Sequence, residues 1–171
     1  MPHILFFSRN RSTSVEHIDG SSLKACCRLQ DSLMDALVEI QVKLPDLELA
    51  EVRAEVYRSD RAIPNDAMES LRKAIGIRIG PGLLKIMKGL VGDHENLGEL
   101  LNMLDECCQG VILSFTKDAL AKAPEDRGKA EEYYAQLVKD NVRLYDSCIA
   151  FAPDSPLVKG LEQPPKRSHE S

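Results

Sequence analysis

The chain has 171 residues, of which 43% are apolar and 29% charged, proportions that exclude a collagenous, fully disordered or disulfide-scaffold protein. Folding a chain of this length buries roughly 70% of the surface its unfolded form exposes, so neither a metal nor a disulfide is required to hold it together. Acidic residues outnumber basic ones by 27 to 22, and there is no Trp. That balance argues against nucleic acid as a partner, because a phosphate-backbone binder needs a cationic surface and a base-stacking platform needs aromatic rings.

No apolar run approaches the roughly 18 to 20 residues of a membrane helix. The apolar start, Ile4-Leu5-Phe6-Phe7, is short for a signal segment, and Ser8-Arg9-Asn10-Arg11 follows where small residues would be needed. A cytoplasmic protein away from the membrane is the expectation. Cys26, Cys27, Cys107, Cys108 and Cys148 form an odd set with two adjacent pairs, a poor disulfide framework that fits reduced thiols.

Residues from about 3 to 58 read as strands. Asp19-Gly20 marks a hairpin, since both central positions of a type I′ turn need positive φ. The run Ser22–Leu29 continues as the partner strand. Asp31 to Leu44 carries two patterns: Leu33, Leu37 and Ile40 have helical spacing, while Val38, Ile40, Val42 and Leu44 alternate with Glu39, Gln41 and Lys43. The β-branched content favours a strand. After Pro45-Asp46 a further strand runs from Leu47 to Tyr57, its apolar phase shifting between Leu49 and Ala50 as at a β-bulge. Short links make an antiparallel meander the economical arrangement.

Residues from about 65 to 151 read as helices. Asn65 is an N-cap before Ala67, Met68, Leu71, Ala74 and Ile75, and Gly76 ends that helix. Gly80-Pro81-Gly82 opens a short helix through Lys88, after which Gly89 and Gly92 break the chain. Leu97, Leu100, Leu101, Leu104, Cys107, Cys108, Val111, Ile112 and Phe115 form the stripe of a longer helix, in which Gly110 marks a bend or a close approach. A last helix spans about Asp126 to Phe151, with Tyr134, Leu137, Val138, Tyr145 and Cys148 as its buried side. The fold expected is α+β: one domain over residues 1–152, an N-terminal antiparallel β-meander packed against C-terminal helices, and a loose tail over 153–171.

Three stretches resemble a bacterial family catalogued only as a domain of unknown function: the strand pattern through Leu29-Gln30-Asp31-Ser32 and Val38–Pro45, then Val52-Arg53-Ala54-Glu55, and above all Gly76-Ile77-Arg78-Ile79-Gly80-Pro81-Gly82. The resemblance covers residues 10 to 115 and implies an α+β fold and a bacterial origin, with no established activity to lend. Members of that family carry Gly-Cys-Thr-His-Leu at the start of the long helix. Here the matching stretch is Asp93-His94-Glu95-Asn96-Leu97. His94 stands in the place of the Cys and Asn96 in that of the His, so the pair is not carried over, and His94 is left as a residue that could substitute for it as a ligand.

Three function classes follow. In the first the chain is an accessory or binding module that holds a small molecule or a protein partner between sheet and helices, with Arg78, Gly80, Gly82, His94 and Asn96 as ligand-binding residues. The glycine turn opens a helix beside Arg78, Lys85 and Lys88 and could cradle an anion, although it lacks the lysine of a P-loop and the third glycine of a dinucleotide fingerprint. In the second the chain is a metal- or thiol-dependent enzyme or cluster-handling protein built on His94 with Cys26 or Cys27, Cys107 or Cys108 and Cys148, ligand types that suit zinc or an iron–sulfur cluster. No CxxC spacing supports it, and free cysteines commonly serve as small buried apolar residues. No residue is assigned as catalytic, and no cofactor or metal is expected. In the third the chain is a structural dimer subunit of a larger enzyme that uses Glu131-Glu132-Tyr133-Tyr134, Lys139, Asp140 and Arg143 as its dimer face, since Tyr and Arg are frequent interface anchors.

Overall fold

The computed structural model describes residues 6–63, 65–80, 82–92, 97–140, 144–145 and 149–158, the side chains at 65–67 and 118 excepted. The fold is α+β. Four strands, β1 (Arg9–Asp19), β2 (Ser22–Asp31), β3 (Met34–Lys43) and β4 (Glu48–Ser59), form an antiparallel sheet in the order β1-β2-β3-β4. Helices follow: α1 (Asn65–Ser70), running directly into a 3-10 turn at Leu71–Ala74, then α2 (Leu83–Val91), α3 (Gly98–Lys122) and α4 (Arg127–Asp140). No helix among the described residues is long and apolar enough to cross a membrane. By its contacts the chain divides into two compact units, Met1–Phe115 and Thr116–Ser171.

In the first unit the period-two alternation sets two faces. Leu23, Ala25, Cys27 and Leu29 of β2, with Met34, Ala36, Val38, Ile40 and Val42 of β3, are buried together with Leu97, Leu100, Met103, Leu104 and Val111 on and beside α3. Within the ambiguous segment 31–44, Met34–Lys43 is a strand, its β-branched residues alternating with polar ones that pair across to the neighbouring strands. The other face carries crossed ion pairs, Lys24 with Glu39 at 2.6 Å and Arg28 with Asp35 at 2.6 Å. Arg28 also stacks over Tyr57, whose hydroxyl donates to Glu55. Such pairs keep this face wet and fix register more than they add stability.

Several expectations need correction in detail. The first hairpin lies where Asp19-Gly20 placed it, but Gly20 and Ser21 form its loop and neither takes positive φ. Asp19 organises the turn instead, accepting bonds from the Ser21 amide and from the Ser21 and Ser22 hydroxyls, while a register shift at Ile18 supplies the twist. The bulge anticipated near Leu49 is present at Ala50, and a second falls at Tyr57. Gly89 does not break the chain: α2 continues through it to Val91, and only Gly92, with φ of 82°, stops it. The buried stripe of α3 ends at Val111, and Ile112 and Phe115 are exposed. Gly110 is a close approach, since a Cβ there would lie 3.1 Å from Thr13 Cγ2 and 3.3 Å from Val15 Cγ2.

In the second unit Asp126 caps α4 by accepting from the Lys129 amide at 3.0 Å. Tyr133 donates its hydroxyl to the Ala119 carbonyl and packs edge-on against Tyr134, which in turn meets Phe151. Val138 is buried, whereas Tyr134, Leu137 and Tyr145 are half-buried. The last helix is shorter than expected, ending at Asp140, with separate 3-10 turns at Ile149–Phe151 and Pro156–Val158. Cys148 and Arg143 lie outside the described residues, as do residues 159–171 of the expected tail.

Candidate functional site

Three of the five residues first singled out are described, and the fold places them at one end of the sheet. Ile77 to Ile79 runs antiparallel to the start of β4: the Leu49 amide donates to the Ile77 carbonyl at 2.9 Å, and the Ile79 amide to the Leu47 carbonyl at 2.9 Å. Arg78 therefore pairs with Glu48. Its neighbours on either side turn inward, Ile79 into the core.

Residues opposite one another on antiparallel strands share a face. The pairings Ser22 with Lys43, Lys43 with Glu48, and Glu48 with Arg78 thus set a single row across the wet face of the sheet. At this end Arg78 stands 3.6 Å from Asp46, both side chains about half exposed. Sequence reasoning missed Lys43 and Ser22 as members of this row. The signal was their polar phase in alternating strands, which became a location only when the register was known.

A shallow depression of about 360 Å³ opens in the same region, its lining including Ser21, Ser22, Gln41, Lys43, Leu44 and Ala50. The bulge at Ala50 bends β4 beside it. Lys43 brings a cation to the rim; Arg78, one strand beyond Glu48 in the same row, lies outside the lining and faces Asp46. The Ser21 and Ser22 hydroxyls are already bonded to Asp19, which leaves each an acceptor lone pair and fixes its orientation.

Gly80 and Gly82 have different roles. Gly82 has φ of 79° and sits at the N-cap of α2, with its carbonyl accepting from the Ile86 amide. Gly80 has no positive φ, and no described atom lies within 4 Å of a Cβ built at either residue. The turn is a conformational device and not a close packing of chains. Gly82→Ala is therefore expected to cost about 1 kcal/mol, since an L side chain strains the left-handed region, and Gly80→Ala to be near neutral. Urea midpoints of the two variants check this; equal costs would remove the argument.

His94 and Asn96 lie outside the described residues. The thiols that would have joined His94 are separated by the pleat. Cys26 lies on the wet face, four residues along β2 from Ser22, and Cys27 lies on the opposite face under α3. The Cys27 thiol donates to Glu106 Oε2 at 3.2 Å, and burial pushes it up to about 11, with the Glu106 carboxylate adding to the shift. Burial likewise raises Cys107, whose thiol faces the Val38 carbonyl, and lifts Cys108 to about 12. A thiol at 11 is roughly one part in ten thousand thiolate at neutral pH, and the thiolate is the form that attacks or binds metal. All four described cysteines are free. Among the described residues no group of three His, Cys, Asp or Glu side chains is placed to hold a metal ion.

No family model, curated protein or solved structure matches the chain. The reading of the site rests on its chemistry.

Two features that sequence reasoning passed over anchor the scaffold behind this face. Arg11 of β1 reaches α3, bridging Glu99 and Glu106, the latter at 3.0 Å. Asp31, with only 1% of its side chain exposed, accepts from the Leu33 and Met34 amides and from Arg9. The Arg9–Asp31 pair ties residues 22 apart and the Arg11–Glu106 pair residues 95 apart, which is why no local pattern announces either ion pair, although the Asp31 bonds to Leu33 and Met34 are local.

Proposed function

We propose that the chain is a binding module that holds a small anionic molecule at the hairpin end of the sheet. The observation that supports this reading is the depression of about 360 Å³ with Lys43 on its rim, a volume within the range of small-ligand sites. Arg78 stands in the same cross-strand row. Lys43 and Arg78 supply charge and Leu44 and Ala50 an apolar floor, while the turn serines, their protons committed to Asp19, accept from a ligand hydroxyl and not from its anionic end. Glu48, between the two cations, sets their spacing and selects against a ligand that would lay a carboxylate directly over β4. The proposal places the module in the cytoplasm, where free thiols persist, and in a bacterium, as the resemblance implies.

A panel of small carboxylates and phosphates, screened by thermal unfolding, tests it. At a concentration of about 100 times Kd a true ligand stabilises the parent protein by about 2.7 kcal/mol, a rise of several degrees in Tm for a unit of this size. Lys43→Glu and Arg78→Glu should each remove most of that rise while leaving the unliganded Tm within a degree or two, because both side chains are exposed. A panel that shifts nothing, or shifts parent and variants alike, overturns the proposal.

A further inference from the structure

The depression at the hairpin end has two chemically different sides. On the hairpin side the Ser21 amide and the Ser22 and Ser21 hydroxyls all donate to Asp19 Oδ1, at 2.7, 2.8 and 2.8 Å. Those bonds hold the Asp19 carboxyl below its ordinary 3.8, so it is ionised at neutral pH and keeps both serine protons. A hydroxyl whose proton is committed can only accept. Ser21 and Ser22 therefore offer the depression two acceptors and no side-chain donor.

The β3 side is the reverse. Gln41 and Lys43 stand two residues apart on the wet face, and both line the depression. Neither side chain has a hydrogen-bond or ion-pair partner among the described residues. A carboxamide N–H and an ammonium side by side suit one carboxylate. Ser22 and Lys43 are directly opposite in the ladder, with Cβ atoms about 4.5–5.5 Å apart, so a short carbon chain joins the two sides. Leu44 and Ala50 supply apolar contact for its carbons.

The surrounding charges limit the ligand to a single negative one. Lys24, opposite Gln41 on β2, is held by Glu39 at 2.6 Å, and Arg78 faces Asp46, which leaves Lys43 as the cation of the lining. Glu48 stands opposite Lys43 and Glu51 opposite Gln41, with Asp19 behind the serines. Contact with Lys43 outweighs these more distant carboxylates for one charge, whereas a second charge finds no cation and meets their repulsion.

We infer that the ligand is a short aliphatic 2- or 3-hydroxy monocarboxylate, its carboxylate on Lys43 and Gln41 and its hydroxyl donating to Ser21 or Ser22. The inference rests on the reading of this depression as an anion site and narrows it. A phosphate ester carries the second charge, and a plain acid leaves the serine oxygens unused. An amino acid would strip water from an ammonium in exchange for two neutral oxygens, because Asp19 lies outside the lining.

Amide-shift titrations of the full chain, read at Ser22, Gln41 and Lys43 and at constant ionic strength, test the class. The probes are lactate and 3-hydroxybutyrate, each against its deoxy acid (propionate and butyrate), with glycerol 1-phosphate and alanine beside them. The better hydroxy acid should bind about fivefold more tightly than its deoxy acid, the scale of one hydrogen bond, and more tightly than the phosphate ester or alanine. In a variant carrying Ser21→Ala and Ser22→Ala, shown by circular dichroism to be folded, that preference should fall to near one while the deoxy acid binds as before. Equal binding of hydroxy and deoxy acids, tighter binding of glycerol 1-phosphate or of alanine, or a preference that survives loss of both hydroxyls would each overturn the hydroxy-acid class and leave the anion site standing. Six probes that shift none of the three amides would overturn the class and the site together.

Discussion

Replacing Leu104 by alanine is expected to remove about 2–5 kcal/mol of folding stability. Leu104 is fully buried in the middle of α3, in the same cluster as Leu100, Cys108 and Val38 of the facing sheet. The helix must stay over the sheet because Arg11 and the Gly110 contact hold it there, so the space left by the lost methyl groups cannot collapse fully. A domain of this size has a total stability of only about 5–15 kcal/mol, and the variant should show a much lower urea midpoint with an unchanged slope. A loss below about 1 kcal/mol would mean that α3 is not packed on the sheet as described.

Asp31→Ala should cost about 3 kcal/mol, the usual scale for removing one partner of a buried, charge-assisted network. The Leu33 and Met34 amides lose their acceptor and Arg9 loses its counter-charge, while Arg58 still holds the Asp31 and Ser32 carbonyls. Asp31→Asn, which keeps an acceptor oxygen, should cost only about 1 kcal/mol. Burial by itself would raise the Asp31 carboxyl, but the Met34 and Leu33 amides and Arg9 together outweigh it and hold the group below its ordinary 3.8. A carboxyl lowered on folding contributes stability that is present above its unfolded value and lost as pH falls through its folded one. The parent should therefore lose stability on acidification below about pH 4, and Asp31→Asn should show a shallower loss across that range. Chemical unfolding between pH 2 and 7 measures both; an identical acid limb in parent and variant would sink the assignment.

The sheet was legible in the sequence because its chemistry is local. Val38, Ile40 and Val42 alternate with Glu39, Gln41 and Lys43, and a period of two leaves one choice of face. The phase break between Leu49 and Ala50 was legible for the same reason. The first turn was legible in position but not in form: Asp19 works through its side chain, with two serines as partners, and the bulge at Ile18 does the twisting that positive φ would have done. Gly110 could be narrowed to two roles, but only the third dimension brings Thr13 beneath it.

The candidate site was less legible. Arg78 was found through its neighbourhood of glycines, yet its working partners on the sheet are Lys43 and Ser22, contributed by strands 35 and 56 positions earlier. No spacing rule connects such residues, because what connects them is hydrogen-bond register across three strands. Of the two strand thiols offered as partners of His94, Cys27 is set apart from Arg78 on parity alone, since it faces the core while Arg78 faces solvent. The buried ties at Arg11 and Asp31 were invisible for a further reason: in a linear chain an arginine or aspartate on a strand reads as a solvated residue.

The strand order has a consequence for how the chain comes into being. Every strand neighbour is also a sequence neighbour, so the sheet assembles by closing three short loops, at a modest entropic cost and with fast kinetics. Its cover arrives much later, because the contacts that seat α3 join residues 79 and 95 positions apart. At roughly 5–20 residues per second of synthesis, a folded meander waits several seconds on the ribosome with Leu29, Val38 and Ile40 bare to water. The nascent sheet is a hydrophobic platform for that interval, and a chaperone that shields flat apolar surfaces has its substrate there and not in the finished molecule.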